Sequence, residues 1–269
     1  MKYYVVADVH GFFTELQTAL SEKGFFEDKR EHKLVVCGDL FDRGREAVKM
    51  QEFILDLLKK DEVILIRGNH EDLFEDFIDN ISLRLTPNVM RTAHWTNGTV
   101  ETVLQLTDMI LMAAVYQPKR CAAMAKETPF YTEILPKMQN YYETKNYIFV
   151  HGWIPCVVFG RGTQPTDIFA YDKEWRTANA DRWEQARWLN GMFAANKGVR
   201  EPDKTIVCGH WHCSYGHAVL DGKGTEFDEN ADNTPYYGDG IIAIDASTAR
   251  SGKVNCIVLE DEEEILKTH

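Results

Sequence analysis

Short apolar runs alternate with helix-period segments over the first 70 residues: Tyr3 to Ala7, a helix from about Phe12, Leu34 to Cys37, a helix from about Arg45 to Lys60, and Val63 to Ile66. This order predicts a β-α-β-α-β half of an α/β sheet. Each run breaks into polar and glycine residues, at Asp8-Val9-His10-Gly11, Gly38-Asp39 and Gly68-Asn69-His70-Glu71. The carboxyl ends of parallel strands are where such sheets place their sites. From Glu71 to Tyr142 the period is helical, punctuated by Pro87, Pro118, Pro129 and Pro136, which predicts a helical insertion over about residues 72–146 within a single domain spanning 1–269. Strand signals return at Tyr147 to Val150, Thr205 to Cys208, Gly216 to Leu220, Gly240 to Ile244 and Lys253 to Leu259, around a helix near Asp181 to Ala195. The polar stretch Asp221 to Gly240 and the acidic Glu260 to Glu264 read as solvated surface. Tyr141-Tyr142 and the Ile110 to Val115 stripe read as packing faces of the insertion.

The chain of 269 residues is 44% hydrophobic and 27% charged, the composition of a soluble globular protein with a real core. Forty-two acidic against 30 basic residues leave a net charge of -12, which repels phosphate backbones and excludes a nucleic-acid track or attachment to an anionic membrane. An anionic substrate must therefore meet a focused positive centre that overrides the field of the whole molecule. No apolar run reaches the roughly 18 to 20 residues of a spanning helix, and the apolar start is stopped by Asp8 without a signal-peptide pattern. Six cysteines without a C-x-x-C pair read as reduced thiols, so a cytoplasmic location is expected. Cys208 and Cys213 flank a histidine cluster, but each reads as a small buried residue rather than a thiolate ligand.

Five clusters carry the chemistry: Asp8-x-His10, Asp39-x-x-Asp42-Arg43-Gly44, Asn69-His70-Glu71, His151-Gly152 and His210-x-His212. Singly, most are weak. The block Gly38 to Gly44, with five fixed letters, is expected by chance in on the order of one chain in several thousand. Aspartate, asparagine and histidine are mixed oxygen and imidazole ligands that suit Mn, Fe or Zn. Six or seven of them exceed the needs of one ion and fit a two-metal clamp with ions about 3.5 to 4 Å apart, which activates water for in-line displacement at phosphorus. Arg43 adds a planar donor fork for phosphate oxygens.

With these motifs the sequence resembles the calcineurin-like metallophosphoesterases, and among them the phosphoprotein phosphatase branch that also contains the symmetrical diadenosine tetraphosphatases. That branch's G-D-x-H-G, G-D-x-x-D-R-G, G-N-H-E, H-G and late G-H stand here as Ala7 to Gly11, Gly38 to Gly44, Gly68 to Glu71, His151-Gly152 and Gly209-His210. The C-terminal Ile244-Asp245-Ala246-Ser247 is similar to the family's I-D-T-G turn. The resemblance implies an α/β (α+β) fold, a β-sandwich of two mixed sheets flanked by helices, with the helical insertion. It implies two divalent metal ions, manganese first and iron or zinc as alternatives. Asp8 and His10 then hold one ion, Asp39 bridges, and Asn69, His151 and His210 hold the other. His212, the second histidine of G-H-x-H, is a ligand by the wider superfamily's pattern, with a ring beside the ligands as its other reading. His70 is implied as the general acid, oriented by Asp42, with Arg43 gripping phosphate. A second gripping arginine lies among Arg161, Arg176, Arg182, Arg187 and Arg200, and Arg187, within Trp183 to Trp188, fits best.

The implied reaction is hydrolysis of a phosphomonoester by direct attack of metal-bridging hydroxide, on a phosphorylated protein or a small phosphorylated substrate. Glu71 and the preceding Arg67 are similar to the Ser/Thr phosphoprotein phosphatases and put that substrate first. A dinucleoside polyphosphate hydrolase is the alternative, and a metal-stabilised binding scaffold is the non-enzyme alternative. His70, Asp42 and Arg43 argue against the scaffold, which needs only ligands. Trp153 and Trp211, each beside an expected ligand, read either as core or as an aromatic wall for a base or side chain. His32, His94, His217 and His269 match no motif and read as surface or structural.

Overall fold

The computed structural model describes residues 1–160 and 167–262. Its strands are β1 (Lys2–Val6), β2 (His32–Cys37), β3 (Val63–Ile66), β4 (Tyr142–Glu143), β5 (Tyr147–Phe149), β6 (Val157–Phe159), β7 (Ile168–Ala170), β8 (Thr205–Cys208), β9 (Tyr236–Gly238), β10 (Ile241–Ala243) and β11 (Ile257–Glu260). One mixed sheet runs β11-β1-β2-β3, with β1, β2 and β3 parallel and β11 antiparallel to β1. The other runs β4-β5-β8-β10-β9, with a parallel centre β5-β8-β10 and antiparallel edges. The two mixed sheets and their flanking helices form the calcineurin-like metallophosphoesterase fold.

The strands read as continuous apolar runs because both faces are buried. Tyr3, Val5, Ala7, Val35, Cys37 and Ile64 pack with Phe149, Val207, Ile242 and Ile244 between the sheets. The alternate residues Tyr4, Val6, Leu34, Val36 and Leu65 face helices Phe13–Glu22 and Ala47–Lys59 and the helices of residues 69–137 in one cluster. On the far side, Ile148, Ile206, Cys208 and Ala243 pack beneath Trp153, Trp175 and Trp183. This layering brings the carboxyl ends of β1, β2, β3, β5 and β8 to one rim. Among the described residues, no helix is long and apolar enough to cross a membrane.

Several local expectations change. Gly216–Leu220 is a π-helical turn rather than a strand, continuing directly from the helical turn Cys213–Tyr215. Gly216 lies so close to the Tyr236 ring that a Cβ there would stand 2.6 Å from it, so the segment wraps against β9 and does not pair. The single helix expected near Asp181 to Ala195 is two, Ala180–Arg187 and Gly191–Asn196, because Asn190 caps a new start by accepting from the Phe193 N–H at 3.0 Å. The polar Asp221 to Gly240 stretch contains β9, and the antiparallel pair β6 and β7, three residues each, carried too few residues to register as strands. Glu260 ends β11 instead of starting a tail, while Glu263, Glu264 and His269 lie outside the described residues. Tyr142 belongs to β4, and Ile110 and Met112 of the expected packing stripe are exposed.

Candidate metal centre

Five loops reach the rim straight from buried strands. Among the described residues, ten non-glycine residues have positive φ, and six of them are Asp8, His10, Asp39, Asp42, Arg43 and His210. This left-handed backbone is costly for such side chains and persists only where surrounding structure over-determines it, as at binding and catalytic sites. Here neighbouring loops fix it: the His10 N–H donates to the Asp39 carbonyl at 2.9 Å and the Gly11 N–H to the Leu40 carbonyl at 2.8 Å. Glu71, fully buried, accepts from the N–H groups of Gly68 at 2.6 Å, Asp39 at 3.1 Å and Leu40 at 3.0 Å, tying the β2 turn to the start of helix Asn69–Asp79. Gly209 must be glycine, since a Cβ there would collide with Asp8 Oδ2.

Two groups of ligand-type atoms result, His10 with Asp39 and His70, and Asp39 with His151 and His210, each within 4.8 Å of one another. Asp39 belongs to both. Asp8 lies alongside, its Oδ2 accepting from the His210 N–H at 2.9 Å. The His10 Nδ1 donates to the Phe41 carbonyl at 2.9 Å and the His151 Nδ1 to the Cys37 carbonyl at 2.8 Å, which leaves each Nε2 lone pair facing the centre. His151 Nε2 stands 2.7 Å from Asn69 Oδ1 and 3.3 Å from Asp39 Oδ1. Burial lowers the pKa of His151 and so keeps the ring neutral, and three acceptors then converge. Such convergence is what a cation accommodates.

The electrostatics agree. Burial, then the charges of Asp245 and Asp39, raise Asp8 well above the usual carboxylate range, and burial lifts Asp245 to about 6. Burial depresses His10 strongly, and burial with the neighbouring His151 brings His210 down to about 3. Acids that repel one another and imidazoles held neutral are a donor set for a divalent ion. Arg43 supplies positive charge in the same space, its fork reaching His10 Nε2 at 3.1 Å and His70 Nε2 at 3.2 Å.

His70 differs from the other histidines. Burial disfavours its charged form, but Asp39 and the bond to Asp42 outweigh burial and raise its pKa. Its Nδ1 lies 2.7 Å from Asp42 Oδ2, and its Nε2 faces Asp39 Oδ2 at 3.8 Å. Asp42 in turn accepts from the hydroxyls of Thr99 and Thr102, each at 2.8 Å, so helix Thr99–Thr107 holds the carboxylate that orients the ring.

Of the residues expected from sequence, Asp8, His10, Asp39, Asn69, His70, His151 and His210 come together, with Asp42 and Arg43 beside them. His212 does not join either group. Its Nε2 pairs with Glu226 at 2.9 Å. Arg187 borders the centre, but its guanidinium is bound to Asp72 and Asn140. Of the other arginines, Arg176, Arg182 and Arg200 pair with acids away from the centre, and Arg161 lies outside the described residues. Trp153 is core, 1% exposed and donating to the Val199 carbonyl at 3.2 Å, so it forms no wall. Trp211 does lie beside His210, and so does Trp188, 44% exposed with its ring 5.7 Å from that of His210. Trp188, Thr99, Thr102 and Asp245 were missed as site residues. Asp245, inside the I-D-x-x turn, and Trp188, at the end of the Trp183 to Trp188 segment, carried a sequence signal, and the two threonines carried none.

Residues 1–243 match the sequence model of a family described as calcineurin-like phosphoesterase. Over 71 residues the chain is 37% identical to a symmetrical bis(5'-nucleosyl)-tetraphosphatase of Buchnera aphidicola, a stretch covering 26% of this chain and 24% of that protein. Over 102 residues it is 26% identical to an asymmetrical bis(5'-nucleosyl)-tetraphosphatase of Anoxybacillus flavithermus, covering 35% of this chain and 42% of that one. The aligned stretches thus span from about a quarter to less than half of these relatives. A solved cold-active protein tyrosine phosphatase matches over 96% of this chain and 73% of its own, with a TM-score of 0.52 at 16% identity, a likeness of fold.

Proposed function

Because the chain belongs to the calcineurin-like phosphoesterases, we propose that it hydrolyses phosphate esters or anhydrides at a paired divalent-metal centre held by Asp8, His10, Asp39, Asn69, His151 and His210. The observation that carries this reading is Asp39, shared by two ligand groups with the His70–Asp42 pair at its edge. Divalent ions, manganese first and iron or zinc as alternatives, supply Lewis-acid charge and lower the pKa of water. His70 donates a proton from Nε2 to the departing oxygen. Asp42 fixes its tautomer and direction, and Arg43 takes the charge on non-bridging phosphate oxygens. His212 is outside this set, since Glu226 occupies its Nε2.

For substrate, dinucleoside polyphosphates now stand first. The names of the relatives support them, and Trp188 offers an exposed aromatic face beside His210 for a base. A phosphorylated protein is the second reading, supported by Arg67 before Gly68-Asn69-His70-Glu71. The test is kcat/KM of manganese-loaded protein on diadenosine tetraphosphate and on a phosphothreonine peptide side by side. Preference for the dinucleotide supports the first reading, preference for the peptide reverses the order, and turnover of neither, with metal bound, removes both.

A further inference from the structure

Asp72 receives donors from two arginines that come from different parts of the fold. Arg187, at the end of helix Ala180–Arg187, grips it with Nε to Oδ2 at 2.6 Å and Nη2 to Oδ1 at 3.1 Å, while its Nη1 donates to Asn140 Oδ1 at 2.9 Å. Arg67, at the end of β3, donates from Nε to Asp72 Oδ1 at 2.7 Å and from Nη2 to Glu75. Two guanidinium groups arranged around one small anion are the geometry of phosphate recognition, with a carboxylate standing where phosphate oxygens would be. The place suits it. Asp72 follows the expected ligand Asn69 by one helical turn, and the Arg187 backbone lies so close to Gly152 that a Cβ there would stand 2.7 Å from the Arg187 carbonyl. The five groups border a cavity of about 420 Å³ that also includes Glu184.

We propose that Arg67 and Arg187 form a second anion subsite beside the metal centre, and that Asp72 is its internal occupant, displaced by the non-scissile phosphates of a polyphosphate substrate. The inference rests on the polyphosphate reading above, and extends it: monophosphates need only the centre, whereas longer phosphate chains compete with Asp72. Arg187 in this view grips phosphate only after Asp72 yields it, and Asp72 is a positioning residue that sets selectivity for chain length.

The experiment measures binding of inorganic tripolyphosphate to metal-free protein by titration calorimetry, which keeps metal chelation and turnover out of the readout. Asp72→Asn is expected to tighten binding about tenfold, a change of about 1.4 kcal/mol. Glu184→Gln, which removes the same charge from the same cavity, is expected to change it less than twofold. Orthophosphate binding in the two variants is expected to differ far less. Unchanged or weaker tripolyphosphate binding in folded Asp72→Asn overturns the subsite, and an equal gain in Glu184→Gln also overturns it by reducing the effect to net charge. If Asp72→Asn binds tripolyphosphate more tightly but manganese-loaded wild-type protein does not cleave diadenosine tetraphosphate, the subsite stands and the dinucleotide reading falls.

Discussion

The Nδ1 of His70 lies 2.7 Å from Oδ2 of Asp42, and both groups are almost fully buried. The contact fixes the ring so that Nε2 faces Asp39, and with Asp39 it raises the pKa of a histidine that burial alone would depress. His70 therefore keeps its proton to higher pH than the neighbouring imidazoles do, as a proton donor to a leaving oxygen requires.

His70→Asn should lower kcat by about 10²- to 10⁴-fold on substrates with poor leaving groups, with little change in KM. The loss should shrink for p-nitrophenyl phosphate, whose leaving group needs no proton. Equal losses on both substrates in the folded, metal-loaded variant would show that His70 does not act as the acid.

Thr102 both donates to Asp42 Oδ1 at 2.8 Å and accepts from the Asp42 N–H at 3.0 Å. Thr102→Val keeps the shape but leaves that buried N–H unpaired, at a cost of about 1 to 3 kcal/mol in stability. A loosened Asp42 should also lower kcat by about 10-fold while KM holds, the range typical of groups that orient a functional imidazole. Denaturant melts together with steady-state kinetics check both effects, and unchanged kcat would mean that the direction of Asp42 does not depend on Thr102.

What could be read from the sequence, and what could not, divides along a physical line. Asp8, His10, Asp39, Asn69, His70, His151 and His210 sit within a few residues of buried strands, so short motifs carried them, and the strand runs were legible because both faces are buried. Thr99 and Thr102 reach Asp42 across 57 and 60 residues, and nothing local in a threonine signals such a contact. The same holds for Arg187 and Asp72, 115 residues apart. Sequence placed Arg187 near the site but could not show that its fork was already occupied. For His212 the G-H-x-H spacing carried no sign of the contact its Nε2 makes with Glu226 of the polar loop, 14 residues on.

Removing metal should cost stability as well as activity. Asp8 and Asp245 are buried near Asp39, and both are pushed toward protonation, first by burial and in part by the other acids. A bound cation relieves that strain, and at a hundred times its Kd it adds about 2.7 kcal/mol per site. Chelation should therefore lower the Tm, and manganese should restore it, with two equivalents bound by elemental analysis. Asp39→Asn, which alters the ligand shared by both groups, should reduce the bound metal below two equivalents. A wild-type stoichiometry of one would refute the paired centre.

Glu143, which belongs to neither candidate ligand group, allows a pH prediction of its own. Its buried carboxylate accepts from Arg176 Nε at 2.8 Å and Nη2 at 2.6 Å, and Lys204 Nζ lies 2.8 Å away. Burial pulls the pKa of Glu143 up, but Arg176 and Lys204 outweigh burial and hold it below the ordinary 4.5. A depressed acid binds fewer protons folded than unfolded, so its contribution is complete above the unfolded value of 4.5 and is lost as pH falls through the lower folded value. Glu143→Gln leaves Lys204 facing a neutral amide and Arg176 with Glu201 as its remaining acid, and should cost about 1 to 3 kcal/mol at neutral pH. The cost should shrink as pH drops below the ordinary carboxylate range, because protonation disarms the wild-type carboxylate there too. Urea melts of both proteins from pH 7 downward test this, and curves that stay parallel through the acid range would show that Glu143 titrates alike in the folded and unfolded chains.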